Sequence, residues 1–219
     1  PTNGTTTAMP EYIPGYNKGP SDYDATHNWV TNLTWDLPFA RGLGGATGAL
    51  LDGWRLSGIY TYRSGSPLTV FILANRSRSL WNPSRGPGIG PDRPSWAPGR
   101  GPENAILGTP QQWLDPTAFV VPAAGTFGNT GRGELRGPDL RTLDLSLTKL
   151  VPWARLGGGS TVEFRVEAFN VFNRANFGVP LLTVFAGQAD NEAPFASFGR
   201  ISSTVTSSRQ IQLGVRVAF

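Results

Sequence analysis

One histidine, His27, follows closely on two carboxylates, Asp22 and Asp24. An imidazole held by a carboxylate can act as a general base, and a neighbouring hydroxyl or thiol would complete a nucleophilic set. That completing member is missing: the chain has no cysteine, and no Gly-x-Ser-x-Gly elbow accompanies the histidine. A single histidine without cysteine also excludes a His- or Cys-based metal cluster. The expectation for His27 is an exposed loop residue. A second constellation is Glu163, Arg165 and Glu167. Paired carboxylates can divide acid and base roles when they face each other across a cleft. These two instead stand side by side on one face of one strand. Gly86-Pro-Gly-Ile-Gly90 has the glycines of a phosphate cradle, but prolines flank it and no strand-to-helix context surrounds it. No catalytic, cofactor-binding or metal-binding residue is assigned, no cofactor is expected, and an enzymatic role is not.

The basic residues raise a different possibility. The net charge is +4, and all but Lys18 and Lys149 of the 19 basic residues are Arg. They are dispersed, with no basic helical stripe and no nucleic-acid-binding motif, so no nucleic-acid partner is expected. The stretch Asn75–Arg100 gathers Arg76, Arg78, Arg85, Arg93 and Arg100 with Trp81 and Trp96 against Asp92. Arg beside exposed aromatic rings can grip sugars or anionic polymers. The Gly and Pro content of the stretch favours a flexible surface loop over such a grip.

The pattern around the remaining charges is strict alternation. Residues 28–37 put Trp29, Thr31, Leu33, Trp35 and Leu37 on one face, and Val30, Asn32, Thr34 and Asp36 on the other. Residues 54–63 set Trp54, Leu56, Gly58, Tyr60 and Tyr62 against Arg55, Ser57, Ile59, Thr61 and Arg63. In 142–149, Leu143, Leu145 and Leu147 oppose Thr142, Asp144, Ser146 and Thr148; in 162–169, Val162, Phe164, Val166 and Ala168 oppose Glu163, Arg165, Glu167 and Phe169. Residues 209–219 put Ile211, Leu213, Val215, Val217 and Phe219 on one side and Gln210, Gln212, Gly214, Arg216 and Ala218 on the other. Period two predicts a strand in each segment, greasy on one face and wet on the other. Their lengths match the roughly 9–11 residues with which a tilted strand crosses a bilayer.

A bare apolar strand face is an aggregation hazard in water. Lipid covers such a face in a transmembrane barrel, and the final strand there closes against the first. Trp29, Trp54, Tyr60, Tyr62, Phe172 and Phe219 lie at or near strand ends, as interfacial aromatics do. Lys149 falls on the apolar side near a strand end, within reach of the interface by snorkelling. The predicted fold is therefore all-β: an antiparallel transmembrane β-barrel segment of about five spanning strands with long extracellular loops. On the wet faces, Asp36, Arg55, Arg63, Asp144, Glu163, Arg165, Glu167 and Arg216 would form a polar wall facing the lumen, with Glu163 and Glu167 in a ladder with Arg216 and Gln212 of the last strand. That wall either contacts a substrate or plug, or is merely solvated.

Connections alternate in length, which orients the strands. Segments 38–53 and 152–160, the latter turning at Gly157-Gly158-Gly159, are read as periplasmic turns. Segments 74–138 and 173–208 are read as extracellular loops, and 1–26 as the tail of another. Only Ala46–Leu51 and Pro110–Leu114 look briefly helical, in keeping with 28 Gly and 19 Pro. Leu68–Leu73 should extend the second strand beyond a bend at Gly65-Ser66-Pro67, and Phe198–Val205 should form a short hairpin arm. The expectation is that this chain is a C-terminal piece whose targeting segment lies upstream.

Three separated blocks carry a family resemblance: Gly53-Trp-Arg-Leu-Ser-Gly-Ile-Tyr60; Glu163-Phe-Arg-Val-Glu-Ala-Phe-Asn-Val-Phe-Asn-Arg-Ala-Asn-Phe-Gly178; and Phe198-Gly-Arg-Ile-Ser202 with Arg209-Gln-Ile-Gln212. They resemble the C-terminal barrel segment of TonB-dependent receptor-like outer-membrane proteins of the Oar-like kind. The resemblance implies a Gram-negative outer membrane, a barrel of about 22 strands with a plug in its lumen, and energy supply through the TonB complex. Plug and TonB-contacting box would lie N-terminal to this segment, and no ligand residue carries over. Expected partners are outer-membrane lipid, the plug, the remaining barrel strands, the TonB complex and the barrel-assembly machinery. The implied role is uptake, export or surface recognition of an unidentified ligand. Ile211, Leu213, Val215, Val217 and Phe219 resemble the terminal signal read by the assembly machinery through β-augmentation; Phe219 alone would also serve as an interfacial anchor. A soluble β-sandwich, carbohydrate-binding or adhesive, remains the alternative, since alternating strands can also pack two apolar faces together.

Overall fold

Five long strands pair side by side, every pair antiparallel: β1 (Asn28–Asp36), β2 (Trp54–Arg63), β3 (Leu140–Pro152), β4 (Thr161–Phe169) and β5 (Gln210–Ala218). The computed structural model describes residues 15–39, 43–79, 81–82, 86–87, 92–153 and 159–219. These fall into two units, one drawn from residues 27–63, 140–176 and 206–219, the other from residues 15–26, 64–139 and 177–205.

In the sheet unit, register joins the apolar positions of all five strands into one face. Leu33 lies opposite Gly58, Gly58 opposite Leu145, Leu145 opposite Ala168, and Ala168 opposite Ile211. The next row runs Trp35, Leu56, Leu147, Val166, Leu213. A one-residue slip of any strand would mix the faces, so the pattern itself fixes the register. Gly58 has a packing reason: a Cβ there would lie 2.9 Å from the Leu145 side chain. The face stays open, with Leu33, Leu213 and Val215 exposed by 61%, 80% and 66%. A sandwich would bury them under a second sheet.

Strand boundaries match the alternation closely, except that β3 is longer than its apolar core of 142–149 and runs from Leu140 to Pro152. A short helix, α1 (Gly45–Leu51), stands where Ala46–Leu51 suggested one. Gly53, at a φ of 73°, turns the chain from α1 into β2, a conformation that glycine adopts without strain. The turn after β3 is closed by Trp153 N–H donating to the Ser160 carbonyl at 2.9 Å; Gly157 and Gly158 of the expected glycine turn lie outside the described residues.

The second unit corrects the expectation of loose loops. Leu68, Val70, Ile72, Leu114, Phe119, Leu135, Val184, Phe185 and Phe198 form a continuous buried core drawn from both long connections. Short ladders stitch it: Phe71–Ile72 runs parallel to Thr183–Phe185, Pro67–Leu68 pairs with Leu135–Arg136, and Ser95–Trp96 pairs with Phe119–Val120. Leu68–Leu73 is therefore two short strands facing different partners. Pro110–Leu114 is not helical; instead Leu114 is fully buried and Trp113 N–H bonds the Gly199 carbonyl at 2.7 Å. Phe198–Val205 is no hairpin. Phe198 is 1% exposed and meets Phe119 edge-on at 5.5 Å, because core burial outweighs the weak local strand signal.

The arginines of Asn75–Arg100 mostly turn inward. Arg93 is fully buried, its guanidinium 3.6 Å from the Tyr16 ring centre and donating to the Tyr16 carbonyl at 2.6 Å. Arg76 pairs with Asp190 and Arg100 with Asp115. Trp96 stacks on Phe119 at 4.9 Å, while Arg85 and the Trp81 side chain lie outside the described residues. These groups hold the unit together; they do not form an open sugar-gripping surface. Burial pushes the Asp92 carboxyl up, and the Ser77 N–H and hydroxyl bonds offset part of that rise. Burial would also raise Asp115, but the Thr117 bonds and the Arg100 charge outweigh it and hold it below the ordinary range.

Phe198→Ala should remove about 3–5 kcal/mol from this unit. Protease cleavage within residues 64–139 should then rise sharply while the strands stay protected. Unchanged cleavage would show that Phe198 is not part of a load-sharing core.

Candidate functional site

The wet face of the sheet carries the chain's organised charge. Arg55 Nε donates to Asp36 Oδ1 at 2.6 Å, across the β1–β2 pair and near the end where those strands are joined through α1. The same row continues through Thr148 of β3 to Arg165 of β4 and Gly214 of β5. One row to one side, Glu163 lies opposite Arg216; one row to the other, Glu167 lies opposite Gln212. The expected ladder register is thus present, but the ion pairs run differently. Arg165 reaches along its own strand to Glu163, at 2.6 Å, and to Glu167, at 3.8 Å. Alternate residues on one strand face are close enough for a long guanidinium to bridge both.

Six of the eight sequence-derived wall residues therefore form one band: Asp36, Arg55, Glu163, Arg165, Glu167 and Arg216. Two lie outside it. Arg63 sits at the opposite end of β2, opposite Asn28 and Leu140. Asp144 has a structural duty: its Oδ1 accepts the Asn170 N–H at 2.8 Å.

Asn170 opens a set of residues whose role the strand alternation does not announce, although they lie within the segment Glu163–Gly178 that carries the family resemblance. Asn170, Asn173 and Asn176 recur at intervals of three directly after β4. Asn170 and Asn173 adopt φ values of 49° and 50°, in the left-handed region that Asn tolerates better than most residues. The Asn170 amide donates to the carbonyls of Arg174 and Ser207, both at 3.0 Å, and its oxygen accepts the Arg174 N–H. Asn173 accepts the Arg209 N–H at 2.9 Å. Buried Asn176 accepts the Arg141 N–H at 2.8 Å and donates to the Thr206 hydroxyl at 2.9 Å. Three side chains thereby tie the start of β3, the exit of β4 and the entry to β5. The signal was present as three Asn at turn-prone positions, each able to satisfy backbone groups.

On the apolar face, Ile211, Leu213, Val215 and Val217 line one side of β5, and Phe219 is 98% exposed. Among the described residues, β5 pairs only with β4, so its outer edge offers free main-chain donors and acceptors. Lys149 falls on the apolar side as expected but does not snorkel. It is 7% exposed and donates to carbonyls at the end of α1, beside Trp54. A cation left bare on a lipid-facing wall at mid-depth would cost roughly 2–4 kcal/mol.

Asp22 and Asp24, the carboxylates near His27, bridge to Arg132 at 3.8 Å and to Arg136 at 3.0 Å. Among the described residues no cluster of His, Asp or Glu is arranged to hold a metal ion. Among the described residues no helix is long and apolar enough to cross a membrane, which says nothing of crossing by strands.

A family model described as an outer membrane beta barrel domain matches residues 1–212. No curated protein and no solved structure matches the chain.

Asn176→Ala would empty a fully buried site and leave the Arg141 N–H without its side-chain acceptor, at about 1–3 kcal/mol. The expected outcome is a lower unfolding midpoint in detergent with strand content unchanged below it. An unaltered midpoint would remove the Asn set from the account of how the strand ends are joined.

Proposed function

Because the chain belongs to the outer membrane beta barrel domain family, we propose that it builds part of the wall of a TonB-dependent receptor-like barrel, serving uptake, export or recognition of a ligand at the cell surface. The observation that carries this reading is the two-faced sheet. One face is apolar and open across all five strands, and the other bears a band of paired charge. Lipid contact and outer-membrane location in a Gram-negative cell follow from the family. The finer role is supported by the three sequence blocks, to which the structure gives physical reasons in Gly58, the Asn set and buried Phe198.

In this reading Asp36, Arg55, Arg63, Asp144, Glu163, Arg165, Glu167 and Arg216 face the lumen. The band of six presents both signs of charge to a plug or a passing solute, and hydrogen bonding rather than apolar packing governs contact there. Both long connections leave the sheet at the end where β2 and β4 finish, the arrangement of extracellular loops; 38–53 and 152–160 are then periplasmic. Residues 64–139 and 177–205 pack as one folded unit, which suits a defined outer surface better than a tangle of mobile loops. The role is transport or reception without catalysis. The free edges of β1 and β5 pair with further strands of a barrel of about 22.

Ile211, Leu213, Val215, Val217 and Phe219 act in this scheme as the strand offered to the assembly machinery. Phe219→Ala should lower the amount of heat-modifiable, folded protein recovered from outer membranes. Equal recovery would reduce Phe219 to an interfacial anchor.

The energised-transport reading is tested with the whole protein in detergent, titrated with the periplasmic domain of TonB. Saturable binding is the expected result. Its absence would leave a membrane barrel and remove TonB from the account.

A further inference from the structure

The link between β1 and β2 does not behave like a turn in water. Helix α1 is made only of Gly, Ala, Thr and Leu, and neither terminal turn holds an acidic or basic residue. Donors from the sheet claim the carbonyls of Ala49 and Leu50 in its last turn and that of the following Asp52. Lys149 Nζ donates to Ala49 at 2.8 Å, to Leu50 at 3.1 Å and to Asp52, while the Trp54 indole donates to Leu50 at 2.9 Å. A helix end in water leaves such carbonyls to solvent. In oil each must find a donor within the protein. Both donors come from the apolar side of the sheet, where Lys149 lies opposite Trp54 in register. The ammonium also complements the negative end of the helix dipole.

Beside the helix, Leu37, Phe39, Leu50, Leu51, Trp54 and Leu147 line an open cavity of about 320 Å³. Leu147 and Trp54 belong to the apolar face itself, so the cavity continues that face without a polar rim. Phe39 and Leu50 are 58% and 67% exposed.

We propose that α1 lies in the bilayer interface against the outer surface of the barrel, and that the groove beside it holds an acyl chain of a phospholipid in the adjoining leaflet. The proposal rests on the lipid-facing reading of the sheet given above. Three features choose a lipid over a protein partner: continuity with the lipid-facing wall, a helix end satisfied from within, and an exposed lining free of charge. Lys149 is the positioning residue, folding the link back onto the wall and hiding its own charge beneath the helix.

The chain has no cysteine, so single fluorescent labels can be introduced through Leu50→Cys, Leu213→Cys and Ser146→Cys. Each labelled protein is inserted into phosphatidylcholine vesicles whose acyl chains carry bromine, a contact quencher. The expected result is comparable loss of fluorescence at Leu50 and Leu213 and none at Ser146, on the wet face. Quenching at Leu213 without quenching at Leu50 would put the helix in water, overturning the proposal while the wall reading stands. Absence of quenching at Leu213, or quenching at all three sites, would overturn the wall reading and the proposal with it.

Discussion

A main-chain polar group that faces oil has no water to bond, and the sheet unit follows from that constraint. A lone strand cannot meet it; paired strands can, because each ladder consumes the donors and acceptors of its neighbours. The interior strands β2, β3 and β4 are paired on both sides. Trouble begins where ladders end, and there the side chains take over. Asn170, Asn173 and Asn176 serve the ends of β3, β4 and β5, and Lys149 with Trp54 serves the helix between β1 and β2. The residues that look least like barrel wall are those that make the wall possible at its margins.

The second unit solves a different problem. Its elements are too short to stabilise themselves, with ladders of two or three residues. Cohesion comes from aromatic and aliphatic side chains converging from distant parts of the chain, and from buried polar groups given internal partners. Asp92 with Ser77, and Arg93 with Tyr16, are of this kind. Such pairs add little net stability but are costly to break, because the surviving partner is stranded out of water. They also specify which segments meet. Charge that would read as a binding surface in an open loop is spent here on architecture.

The strands were legible because a period of two is a local property. Trp35, Leu56, Leu147, Val166 and Leu213 announce their face through their neighbours alone, and the pairing register then follows from matching faces. Alternation also separated the eight charged wall positions from the apolar set. Nothing local says which opposite charges meet. Arg165 chose Glu163 on its own strand because side-chain reach and rotamer decide such pairs, and sequence spacing does not.

Sequence by itself determined the five long strands and their two faces; it pointed to the short helix at Ala46–Leu51 and to a lipid-covered sheet, while leaving a β-sandwich open. Only the tertiary structure showed that residues 64–139 and 177–205 share one core, with Phe71 beside Thr183 and Phe119 against Phe198. Only it showed that Lys149 closes a helix a hundred positions earlier, and that an Asn triplet fastens three strand ends. The physical reason is common to all three. These are contacts between segments far apart along the chain, formed by irregular backbone without a repeating period, so no local pattern encodes them.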